Sequence, residues 1–131
     1  MALISAQLSD YRHSPRKVRI VVNALRGKKV ADAILNLGFV GKRAAAPLQK
    51  LLLSAVANAK ARDIETDSLV IKEFRVDGGK ILYRRMPASR GRASILRKRT
   101  SHVKVVLGEP VLDTKAKKVK KTKKEPLATS N

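Results

Sequence analysis

The chain has 131 residues, and 30 Lys and Arg against 10 Asp and Glu give it a formal net charge of +20. A charge this large repels itself in a compact domain and attracts polyanions, so nucleic acid is the expected partner. The absence of cysteine excludes disulfides and thiolate metal sites, and no apolar run approaches the about 20 residues that span a membrane, so we expect a soluble cytosolic protein without a membrane partner.

The first predicted elements are a short strand in ALISAQLS and a basic helix in HSPRKVRIVVNALRGKK. Ser14 is a natural N-cap, Pro15 suits the first helical position, and Gly27 suits the C-terminal stop. One face of this helix is apolar, with Val18, Val21, Val22 and Leu25 at three- and four-residue spacings. The cations lie mainly outside that stripe: Arg16, Lys17, Arg19 and Arg26.

Two further helices are predicted. VADAILNLG forms a short helix with Ile34 and Leu37 inward and Gly38 at its end. In the third helix, Pro47 requires a start near Arg43 or later, or else a kink. The stripe of that helix is predicted to be the centre of the core: Ala44, Leu48, Leu51, Leu52, Ala55 and Ala59.

The second half of the chain predicts a long β-hairpin. SLVIKEFRVDGG is a strand with Val70, Phe74 and Val76 on one face, and HVKVVLGE is its partner. The residues between them would make an unusually long loop in a compact domain, so we expect a hairpin over about 78–102 instead. After residue 112 the sequence is Lys-rich and has no periodic apolar face, which predicts a disordered tail over 113–131.

The hairpin segment carries many Arg and Lys. Because an isolated hairpin is only marginally stable in water, we expect a partner to surround it. Lipid is excluded, because unpaired strand edges and charges are prohibitive there. Nucleic acid turns the same charges into contacts. Because only 3% of residues are aromatic, we expect phosphate and sugar contacts to dominate over base stacking.

Four segments carry a resemblance to a known family: SPRKVRIVVNALRGKKV, KRAAAPLQKLLLSAVANA, LVIKEFRVDGG and RGRASILRKRTSHVKVVLGE. They stand in the order found in the L22 family of large-subunit ribosomal proteins, which the chain resembles over about residues 11 to 109. The resemblance implies a structural, non-enzymatic protein of the cytoplasmic ribosome that binds and helps fold ribosomal RNA. It implies no cofactor and no homo-oligomer.

The resemblance also implies an α+β fold, with a small antiparallel sheet packed against three helices, and a single RNA-binding domain over 1–112. The globular part would lie near the exit of the peptide tunnel, beside neighbouring ribosomal proteins. The hairpin tip would line the tunnel and meet the nascent peptide, through Met86, Pro87, Ala88, Ser89, Arg90, Gly91, Arg92 and Ala93. Family members often have DEGP where this chain has Asp77, Gly78, Gly79 and Lys80.

The residues expected to contact ribosomal RNA lie around the first helix and on the hairpin. They are Arg12, His13, Ser14, Arg16, Lys17, Arg19, Lys28, Lys29, Lys42, Arg43, Lys80, Arg84, Arg85, Arg90, Arg92, Arg97, Lys98, Arg99, Thr100, Ser101 and His102.

The sequence allows three other interpretations. The Lys-rich tail would also suit a DNA-compacting architectural protein, which would be recovered on the nucleoid instead of on large subunits. His13 and His102 could form a catalytic pair, but no neighbouring acid in the sequence is placed to orient either. The acids between Asp63 and Asp77 lack a calcium-loop spacing, so we expect no metal site and a solvent-facing acidic side.

Overall fold

The computed structural model describes residues 3–108. Strand β1 (Ile4–Tyr11) is followed by helices α1 (Pro15–Asn23), α2 (Val30–Phe39) and α3 (Ala45–Lys60). Strands β2 (Val70–Pro87) and β3 (Ala93–Gly108) form the hairpin, joined by a short 3-10 turn at Ser89–Gly91. The predicted tail and the end of the proposed domain at residue 112 lie outside the described residues.

The sheet is antiparallel with the strand order β1-β3-β2, so the last strand of the chain is central. Alternate residues of β3 are buried, namely Val103, Val105 and Leu107, while Lys104 between them is exposed. Helix α3 packs against β1 and β3, α1 packs against β2, and α2 packs against α3. The α+β prediction is therefore confirmed, with one face of the sheet covered by helices.

The predicted apolar stripes are buried. Val18, Val22 and Leu48 are fully buried, and all six predicted stripe residues of α3 belong to the core. Helix α3 begins at Ala45, which places Pro47 in the first turn, where its missing N–H breaks no helical hydrogen bond.

Local predictions were wrong at three places. Helix α1 ends at Asn23, before Gly27, whose φ of 75° lies in the following turn. Gly38 lies inside α2, which continues to Phe39. Ile71, and not Val70, joins Phe74 and Val76 in the core, because an irregularity between Ile71 and Glu73 shifts the register of β2 against β3.

Side chains from the helices donate hydrogen bonds to both outer strands of the sheet where it lies within the domain. Arg19 and Arg26 of α1 each donate two hydrogen bonds to a carbonyl of β2, at Val76 (3.0 and 2.9 Å) and Phe74 (3.0 and 2.8 Å). On the other edge, Asn58 of α3 donates to the Ser5 carbonyl at 3.2 Å. These contacts occupy part of each outer edge, where a strand otherwise offers unpaired backbone groups to another chain.

Candidate nucleic-acid interface

The paired part of the hairpin extends from the domain as far as Pro87 and Ala93. Beyond Gly78 the register shifts, and pairing resumes at Ile81 with Arg99. The seven pairs from there to the turn make an arm of roughly 23 Å at about 3.3 Å per residue. The arm thus carries its cations well away from the core.

Register sets one cation opposite one apolar residue in five successive pairs of the arm. The pairs are Ile81 with Arg99, Leu82 with Lys98, Tyr83 with Arg97, Arg84 with Leu96 and Arg85 with Ile95. None of these pairs sets two cations directly opposite, an arrangement that destabilises a sheet. A register shifted by two residues would pair Arg84 with Lys98 and Arg85 with Arg97, so charge favours the observed register.

Both faces of the arm are cationic as a result. Paired residues of an antiparallel ladder share a face, and successive pairs alternate between faces. One face therefore carries Arg85, Arg97 and Arg99, and the other carries Arg84 and Lys98. Three of the apolar partners are exposed, Tyr83 (57%), Ile95 (65%) and Leu96 (46%), while Ile81 and Leu82 are half-buried. Such an arm is suited to being enclosed by a polyanion on two sides.

A basic cleft lies where the hairpin leaves the domain. Its lining comes from the start of α1 and from the returning arm: Arg12, His13, Ser14, Lys17, Arg97, Lys98 and Arg99. The volume is about 500 Å³. The cleft also lies at the positive end of the α1 dipole, where Ser14 makes no side-chain cap bond. The arrangement can bind the phosphates of one nucleic-acid backbone.

Most predicted RNA contacts are exposed. Those around the helices and on the arms are Arg12, Arg16, Lys17, Arg19, Lys28, Lys29, Lys42, Arg43, Lys80, Arg84, Arg85, Arg97, Lys98 and Arg99. The predicted tip, 86–93, is exposed throughout and includes Arg90 and Arg92. Its turn places both Arg90 (φ 58°) and Gly91 (φ 69°) in the left-handed region.

Thr100 and Ser101 are the exceptions, because they lie in the protein interior. Thr100 is 5% exposed and donates its hydroxyl to the Lys80 carbonyl at 2.7 Å. Ser101 is fully buried, and its Oγ has no hydrogen-bond partner among the described residues. Their side chains therefore do not reach the exposed surface, contrary to the expectation from sequence.

Arg19 and His102 are partly engaged within the fold. The Arg19 guanidinium donates hydrogen bonds to the Val76 carbonyl. The sequence did not predict this contact, because an arginine outside the apolar stripe of a helix gives no sign of a β-strand partner. The Nδ1 atom of half-buried His102 accepts a hydrogen bond from the backbone N–H of Asp10 at 3.2 Å. Both side chains help to join the domain to the base of the hairpin.

Two features of the described residues bear on other functions. Among the described residues, no group of three or more His, Cys, Asp or Glu is arranged to hold a metal ion. In the same part of the chain, no helix is long and apolar enough to cross a membrane.

Comparison with known proteins agrees with the geometry. A model of the family described as ribosomal protein L22p/L17e matches residues 6–108. A protein named large ribosomal subunit protein uL22 from Desulfitobacterium hafniense is 52% identical over 99 residues, covering 75% of this chain and 87% of the relative. A protein of the same name from Pelobacter propionicus is 45% identical, covering 80% of this chain and 96% of the relative. Another from Christiangramia forsetii is 46% identical, covering 79% of each chain. The chain therefore belongs to the ribosomal protein L22p/L17e family.

Proposed function

We propose that the basic cleft and both faces of the hairpin arm hold this protein on large-subunit ribosomal RNA. Through its family, the chain is a structural protein of the large ribosomal subunit in the cytoplasm, not an enzyme, with ribosomal RNA and neighbouring ribosomal proteins as partners. The proposal adds which residues carry the RNA contacts and what the tip does.

The observation that carries the proposal is the alternation of cations and apolar residues on the arm. A surface contact with RNA would need cations on one face, whereas this arm has them on two. Arg97 and Arg99 belong both to one face of the arm and to the lining of the cleft. A single stretch of RNA backbone can therefore pass from the cleft along the arm, with each phosphate near a cation.

The tip has a different composition and, we infer, a different task. Around the turn, Met86, Pro87, Ala88 and Gly91 are exposed and uncharged, and the cations of the tip are Arg90 and Arg92. The resemblance to the family supports a place for this tip in the wall of the peptide tunnel, facing the nascent chain. Few phosphate contacts would be lost with it, because most cations lie on the arm and in the cleft. On this proposal the protein acts as a single copy, with one RNA-binding domain over 1–112.

Incorporation into the large subunit tests the division between arm and tip. Reversing Arg97 and Arg99 to Glu should strongly reduce the protein in purified large subunits, because two phosphate contacts become repulsive. Reversing Lys50 and Lys60, both exposed on α3, changes the net charge equally and should leave incorporation near normal. Deleting residues 88–92 should also leave incorporation near normal, but should alter ribosome pausing on some nascent chains in ribosome profiling.

Equal loss for both charge reversals would refute the assigned interface, because net charge alone would then govern binding. Binding of the free protein to large-subunit RNA should also weaken with salt, by roughly 0.7 to 0.9 logarithmic units per logarithmic unit of salt for each phosphate contact. The variant with Arg97 and Arg99 reversed should show a shallower slope than the Lys50 and Lys60 variant.

A further inference from the structure

An apolar groove runs between α1 and α2 and meets the basic cleft at His13 and Lys17. One cavity of about 410 Å³ is floored by Ile20, Ala24, Leu25, Phe39 and Val40. A second cavity of about 390 Å³ continues it and shares Ile20, Val21 and Lys42. Two large side chains at the groove remain uncovered, since Phe39 is 90% exposed and Ile20 is 66% exposed. Contiguous exposed apolar surface of this kind marks an interaction site.

The composition of α2 separates this surface from the RNA interface. The chain has 30 Lys and Arg, yet the ten residues of α2 include none and do include Asp32. Leu35 lies one turn before Phe39 on the exposed side of the same helix and is 65% exposed. A helix face of Asp32, Leu35, Asn36 and Phe39 offers no cation to a phosphate backbone, so it is poorly suited to RNA and well suited to protein.

The rim of the groove indicates the charge of its occupant. Lys17, Lys28, Lys42 and Arg43 contribute to the two cavities, and none of the described residues that line either cavity is acidic. Cations around an apolar floor are complementary to a peptide that presents apolar side chains beside Asp or Glu.

We propose that the groove between α1 and α2 docks a segment of a neighbouring ribosomal protein, with apolar side chains on Ile20 and Phe39 and carboxylates facing Lys28 and Lys42. This inference rests on the proposed function, since it requires the protein to be placed in the large subunit. It assigns Lys28 and Lys42 to a protein partner, whereas the cleft and the arm serve RNA.

Site-specific photo-cross-linking tests the proposal. The full chain carries p-benzoyl-phenylalanine in place of Phe39 and is incorporated into large subunits, which are purified, irradiated and analysed by mass spectrometry after RNase digestion. Phe39 is almost fully exposed, so the replacement removes little core packing. We expect a cross-link to an Asp- or Glu-containing segment of another ribosomal protein. The same amino acid at Leu53, exposed on α3 (51%), serves as the control and should not reach that segment.

Charge reversal then tests the rim. Lys28→Glu with Lys42→Glu should lower the yield of this cross-link several-fold, while Lys50→Glu with Lys60→Glu should leave it unchanged. A cross-link from position 39 to RNA, or none at all, would overturn the proposal, and an unchanged yield in the rim variant would overturn the acidic character of the partner. Failure of the labelled chain to enter large subunits would count against the proposed function itself, and incorporation is measured in the same gradients.

Discussion

Replacing Gly79 with Ala should destabilise the base of the hairpin by about 2 kcal/mol. A Cβ at this position would lie 2.5 Å from Oγ1 of Thr100 and 2.9 Å from Nε2 of His102. Buried Thr100 is stiff at χ1, so the added methyl group displaces the hydroxyl from the Lys80 carbonyl. The lost hydrogen bond costs about 1 kcal/mol and the crowding about 1–3 kcal/mol. The lower entropy of the unfolded chain offsets roughly 0.5 kcal/mol.

Urea unfolding of the free protein, followed by circular dichroism, measures this effect. Gly78→Ala is the matched control, because no heavy atom of the described residues lies within 4 Å of a Cβ built there, and we expect a change of less than about 1 kcal/mol. In a double-mutant cycle, Thr100→Ala removes the hydroxyl that the new methyl group meets. The two substitutions should therefore be less damaging together than the sum of their separate effects, by about 1 kcal/mol or more. Additive effects, or a Gly79→Ala protein as stable as Gly78→Ala, would refute this account of the hairpin base.

Three further outcomes are expected in the free protein. Arg19→Met should lower the free energy of unfolding in a urea titration by about 1–2 kcal/mol, since two hydrogen bonds to the Val76 carbonyl are lost. The control Arg16→Met changes an exposed side chain and should change the free energy of unfolding by less than about 0.5 kcal/mol. Phe74→Ala should lower the free energy of unfolding by about 3–5 kcal/mol in calorimetry, because Phe74 is the largest fully buried side chain among the described residues. Ser101→Ala should leave the free energy of unfolding unchanged or raise it slightly, because the buried hydroxyl has no partner among the described residues. RNA affinity in filter binding should also be unchanged, and a loss of affinity would show that Ser101 does reach RNA.

The helices could be predicted from sequence because their signals are local. Ser14 and Pro15 mark the start of α1, and the period of apolar residues in α3 fixes which face is buried. The hairpin could be predicted because the residues between the two strands were too many for a loop. These features depend on neighbours within a few positions of the chain.

Other features depend on contacts between distant segments, and the sequence carries little sign of them. Ser101 continues the buried alternation of Val103, Val105 and Leu107, whereas the buried Thr100 beside it lies at the register shift after Gly78, which no local pattern predicts. Arg26 donates a hydrogen bond to the carbonyl of Phe74, which lies 48 residues away in the chain. The pairing of cations with apolar residues on the arm could have been predicted from sequence, because counting outward from the turn in antiparallel register reproduces the five pairs.

The strand order has a consequence for the order of folding. The central strand, β3, is the last element of the described chain. Ile4, at the start of β1, pairs with Leu107, near the end of β3. Contacts at such separation form slowly, because the intervening chain loses entropy before the pairing stabilises it. During synthesis α1, α2 and α3 emerge before β3, so β1 has no strand partner until nearly all of the described domain has left the ribosome. The apolar surface that β3 covers is exposed during that interval, so the core is completed only with the final strand.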